Sequence, residues 1–148
     1  MTSCMSVLQL RALDKDAFFS KKEESWLAEA KQMFSRIDRV PALRWLMIRK
    51  KSVPGSNCKT WIEQQKVLKP SERVPNAAEV AYVLALYRKV RDIRLLSDEL
   101  VRTSSTDCHD QHVVVGHNEE TGMSIIPEGD IHRSDKIGIL TNQHSSYI

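Results

Sequence analysis

Cysteine is scarce in this chain. Cys4, Cys58 and Cys108 are the three in 148 residues, too few and too widely spaced for a disulfide framework, and their odd number leaves one thiol over. A reducing, cytoplasmic setting is the simpler expectation. Long apolar runs are also missing: no stretch reaches about 18 apolar residues, and Gln9, Arg11, Asp14 and Asp16 interrupt the N-terminal one, so neither a membrane span nor a secretory leader is expected. Glycine is limited to five residues, and none builds a phosphate-cradling loop or a dinucleotide fingerprint. No paired-carboxylate constellation occurs either, so no catalytic residue, cofactor or metal is expected and the chain is read as non-enzymatic. Aromatic residues make up 6%, which leaves room for a segment that does not pack.

What is present suffices for one core, because a chain of 148 residues can bury about 68–70% of its unfolded surface. The expected fold is mainly α, a small multi-helix domain of about four helices with the last one long. Ser20 and Glu23 form a capping box, and Trp26, Leu27, Ala30, Met33, Phe34 and Ile37 follow at helical spacing, which predicts a helix over 20–39. Pro41 suits the first turn of a second helix over 41–51, and "SVPGSN" marks a turn before a third over 57–68. Asn76 and Glu79 repeat the capping box at the start of the longest helix, predicted over 76–102. A short helix near 6–18 is possible. This divides the chain into an N-terminal segment (1–19), a helical domain (20–103) and an acidic tail (104–148), irregular or weakly β, in which "HVVVGH", "MSII" and "KIGIL" read as short strands and "NEETG" as a hairpin connection.

Charge is unevenly distributed. Residues 31–73 hold eleven Lys and Arg against three Asp and Glu, net +8, whereas 104–148 hold two against seven, net −5. A basic middle is the footprint of a phosphate-rich partner. The segment 41–73, two predicted helices around a Pro-Gly turn, is helix-turn-helix-like, which points to a small regulator binding duplex DNA. In that reading Arg49, Lys50 and Lys51, with Arg44, meet phosphates, while Asn57, Lys59, Thr60, Gln64 and Lys66 face bases or backbone. "CKTWIEQQKVLKP" resembles the recognition segment of small excisionase-like and prophage regulatory proteins, over some 13 residues and without a specific motif, so it assigns no residues.

A second reading belongs to another class. Val83, Leu86, Tyr87, Val90 and Ile93 recur in steps of three or four along the long helix and offer an apolar stripe for a protein partner or a homodimer. The tail's negative charge also raises the prospect of a brake that folds over the basic middle. Cys108, His109, His112 and His117 carry zinc-type ligands, but without paired tight spacing the spread reads as scattered polar residues, and a Cys108–His112 nucleophile pair lacks any visible scaffold.

Overall fold

The computed structural model describes residues 4–13, 27–29, 31–40, 46–118 and 122–144, with no side-chain description at 46, 118 and 144. Helices α1 (Val7–Leu13), α2 (Phe34–Ile37), α3 (Trp61–Gln65) and α4 (Ala77–Arg91) accompany strands β1 (Leu46–Ile48), β2 (Leu100–Thr106), β3 (His112–Asn118), β4 (Gly122–Pro127), β5 (Ile137–Ile139) and β6 (Asn142–His144). The architecture is therefore mixed α and β, and the mainly α expectation is overturned.

The sheet explains why. β2, β3 and β4 form an antiparallel meander, and β5 returns to pair parallel with Leu100–Arg102 of β2, giving the order β4-β3-β2-β5. β1 and β6 make a separate antiparallel ribbon. Four of the six strands among the described residues lie in the stretch read as an irregular tail. Their β-branched runs pack on both faces and therefore lack the polar alternation of a half-exposed strand. Val113, Val114 and Val115 are all fully buried.

On one face Val101, Val113, Val115, Met123 and Ile125 meet Val80, Ala81 and Leu84 of α4, with Val7 and Leu10 of α1 and Phe34 of α2 completing the core. On the other face a smaller cluster of Val53, Val74 and Ile139 packs with Trp61, Val67 and Leu68. Between them stands Arg102, fully buried, whose guanidinium donates to the carbonyls of Lys59 (3.1 Å), Gly129 (2.8 Å) and His132 (2.8 Å) and to Gln64 Oε1 (3.1 Å). Burial pulls its pKa down, and Asp130 and Glu128 push the other way. This one side chain ties α3 to the loop between β4 and β5.

The helical expectations fail in specific places. The long helix starts at the predicted Asn76–Glu79 capping box but stops at Arg91, where Asp92 turns left-handed, and residues predicted helical to 102 include the start of β2. The third helix covers only Trp61–Gln65, opened by a Thr60–Glu63 capping box. The described part of 41–51 is the strand β1 rather than a helix, and 41–45 lie outside the described residues. The 20–39 helix is likewise not continuous: the described residues near 29–33 are non-helical before α2, and the predicted Ser20 cap lies outside the described residues. α1 falls within the 6–18 span, and β3, β4 and β5 fall on the three tail segments read as strands.

Candidate functional site

A helix-turn-helix needs two helices, and among the described residues β1 stands where the first was expected, so that geometry is absent there. The predicted reading-head residues have other duties. Gln64 is fully buried, donating to the carbonyls of Ser56 (3.0 Å) and Ile137 (3.3 Å) besides receiving Arg102. Thr60 caps α3, Asn57 Nδ2 donates to the Asp135 carbonyl at 2.7 Å, and Lys59 gives its carbonyl to Arg102. Lys66 is exposed at the C-cap of α3, and Arg44 lies outside the described residues.

Arg49, Lys50 and Lys51 end up elsewhere, and the two predicted residue sets partly merge. Lys50 Nζ lies 5.4 Å from the centre of the Tyr87 ring, a cation over an aromatic face, which brings this basic run alongside the C-terminal half of α4. There Leu86 is 43% exposed, Val90 66% and Ile93 47%, while Val83 and Tyr87 are half-buried. The stripe stays exposed because α4 has two apolar faces. Ala77, Val80, Ala81 and Leu84 take the core, and Leu86 and Val90, four residues apart, lie off that face, while Ile93 follows beyond the left-handed Asp92 that ends the helix. Arg88, Lys89, Arg91 and Arg94 flank these residues, with Arg88 ion-paired to Asp92. Lys50, Arg88, Lys89, Arg91 and Arg94 therefore lie near these exposed aliphatics, with Asp92 at the helix end. At one margin Lys50, Lys51 and Arg94 share a depression of about 410 Å³ with Asp98, Glu99 and Asp135, of which Glu99 is held by the Ser52 hydroxyl at 2.6 Å. Beneath this end of α4 lies His117, 7% exposed, its pKa pushed down by burial and by Arg94 and Arg88.

The zinc-type residues do not converge. His112 stacks on Trp61 (3.7 Å between centroids) and holds Asp130 through Nδ1 at 2.8 Å, while His117, five residues on, faces the opposite side of the strand. Among the described residues no group of three or more His, Cys, Asp or Glu is placed to share a metal ion. Cys108 Sγ lies 3.4 Å from His109 Nδ1, so the sulfur's ring neighbour is not His112.

The class that fold and surface define is a small mixed α/β domain with a basic, partly apolar helix face. Comparison of the chain with known protein families, with curated proteins and with solved structures finds no match. Among the described residues no helix is long and apolar enough to cross a membrane.

Proposed function

We propose that the chain is a non-enzymatic interaction module whose α4 surface receives an acidic amphipathic helix from another protein. The observation that carries this reading is the exposure of Leu86 and Val90 on α4, with Ile93 just past its end, near the cations Lys50, Arg88, Lys89, Arg91 and Arg94. An exposed aliphatic line gains about 25 cal/mol for each Å² of apolar area it buries, and a helix is the element whose own side chains match a spacing of three and four residues. The surrounding cations select the sign of the partner's rim and accelerate encounter.

The same surface argues against the other candidates. Pairing two copies through it about a two-fold axis sets like charges against each other, which disfavours the homodimer. Duplex DNA meets the cations but gives three aliphatics nothing to bury, and the described elements offer no recognition helix for a groove.

The test is a titration of isotope-labelled protein with a synthetic helical peptide that carries Leu on one face and Glu on the other. The expected result is shifts confined to 49–51 and 86–94, with affinity falling as salt is raised from about 50 to 200 mM. Duplex DNA run in parallel should shift these signals weakly or not at all. Tighter binding by DNA than by the peptide, or peptide shifts spread away from α4, overturns the reading.

A further inference from the structure

At the other end of α4 the same helix borders a polar cleft of about 410 Å³, walled by Trp61, Leu68 and Val74 and closed by Glu79, Ser104 and Asn142. It is separate from the α4 surface above, since Glu79 and Val90 are eleven residues apart, about 16 Å along a helix.

One acceptor at its closed end, Asn142 Oδ1, lacks a donor, and it stands beside a buried carboxylate on which the charge of Arg73 acts. Glu79 is 5% exposed, and its Oε2 accepts the Asn76 amide at 2.8 Å and Asn142 Nδ2 at 3.2 Å. No ion pair to it exists among the described residues. Capping alone does not require this burial. The same box at the start of α3 leaves Glu63 exposed enough to pair with Arg133 at 2.7 Å, and Glu63 is held below the usual carboxylate range, whereas burial pushes Glu79 above it. Asn142 is 1% exposed, and a carboxylate can only accept, so the amide nitrogen must face Glu79 and Oδ1 must face away. That Oδ1 has no hydrogen-bond partner, although a buried polar atom without one costs about 1–3 kcal/mol. Backbone contacts with Arg73 in both directions, at 3.1 and 2.8 Å, hold Asn142 in this position.

We propose that this cleft binds a small molecule or side chain bearing a guanidinium or amidinium group, whose N–H groups reach Glu79 and Asn142 Oδ1 together. A guanidinium is flat, carries five donors and is weakly hydrated, so it can meet a carboxylate and an amide oxygen in one plane while resting on apolar walls. Trp61 supplies an aromatic wall of the kind such cations favour, and His112 stacked against it, itself tied to Asp130, fixes the ring's orientation. Arg73, exposed at the cleft, and Gln65, whose buried Nε2 is also unpartnered, suit a carboxylate or carbonyl at the ligand's other end.

The experiment observes the Asn142 side-chain amide by nitrogen-15 NMR while agmatine, L-arginine, N-acetyl-L-arginine amide and L-citrulline are added separately. Citrulline keeps the shape but replaces the guanidinium by a neutral urea. The three cations should shift the Asn142 amide and bind at least about tenfold more tightly than citrulline, the margin of about 1.4 kcal/mol expected from one charge-assisted hydrogen bond. The order among the cations identifies the source, because the doubly capped arginine stands for a residue within a protein and the other two for free metabolites. Glu79→Gln should abolish the preference for cations over citrulline, and Trp61→Phe should weaken all three cations several-fold with the fold intact. Equal affinity for arginine and citrulline, or no shift at Asn142 with any of the four at millimolar concentration, overturns the proposal.

Discussion

Replacing Arg102 with Met tests the organisation of the fold more sharply than any other single change. Met has similar length and no charge, so the substitution removes the guanidinium while largely refilling its volume. What remains is four acceptors without donors: the carbonyls of Lys59, Gly129 and His132 and Gln64 Oε1. At about 1 kcal/mol for each acceptor left unmet, the loss is at most about 4 kcal/mol, since only the Gln64 contact is fully buried, a large share of the 5–15 kcal/mol typical of a domain. Relief from burying the charge opposes this. Buried ion pairs can often be replaced by apolar residues at little loss, but there both partners are removed, and here the neutral acceptors stay behind. Arg102→Lys keeps the charge with three donors and no planar fork, so an intermediate loss of about 1–2 kcal/mol is expected. Urea unfolding followed by circular dichroism should rank wild type above Lys and Lys above Met. A Met variant within about 1 kcal/mol of wild type would refute the claim that this arginine fastens α3 to the β4–β5 loop.

Other outcomes follow from neighbouring features. His117 has its pKa pushed below 6.5 in the folded chain, so as pH falls below about 6.5 the unfolded state takes up more protons, and stability should fall until the folded-state pKa is reached. His117→Phe should flatten that part of the pH profile in denaturant titrations. Glu79 shifts the other way: its folded pKa is raised, so its contribution is most favourable below about pH 4.5 and is lost as pH rises through the elevated value, and Glu79→Gln should stabilise the protein at pH 7 more than at pH 4 in thermal melts. Gly116→Ala should cost about 1–3 kcal/mol by chemical denaturation, because the added Cβ would stand 2.6 Å from the Glu99 carbonyl oxygen and 2.5 Å from Leu100 Cδ2. Deleting residues 104–148 should leave an unfolded chain by circular dichroism rather than a released brake, since it removes β3 to β6 and most of the sheet.

Local chemistry was legible in the sequence where a few adjacent residues decide the structure. Asn76 and Glu79 mark the start of α4 because their capping box is complete within four residues, and Thr60 with Glu63 carries the same signature at α3. Spacing misled where it runs past a chain reversal. Ile93, Leu96 and Leu100 continue the helical period, yet Leu96 adopts a left-handed backbone and Leu100 opens β2, and nothing in apolar spacing distinguishes these outcomes. The sheet was under-read because its central strands are covered on both faces, and Arg102 in the middle of β2 looks like a surface residue until its acceptors, between 27 and 43 positions away in the chain, are assembled. Spacing placed Leu86 and Val90 on one helix, but Ile93 falls past the end of α4, and the placement of Lys50 beside Tyr87 depends on tertiary packing. The cleft left no trace, because Trp61, Glu79 and Asn142 come from three separate elements.

The account's central claim is that the exposed α4 line is a binding surface and contributes little to the core, and Val90→Glu measures both properties in one variant. With Val90 66% exposed, stability should stay within about 1 kcal/mol of wild type, as expected for a surface change. Affinity for the acidic amphipathic peptide should fall by about tenfold or more, because the new carboxylate meets the partner's acids. A variant that loses several kcal/mol of stability would show Val90 to be part of the core, and one that binds the peptide as wild type does would show that α4 is not the surface it uses.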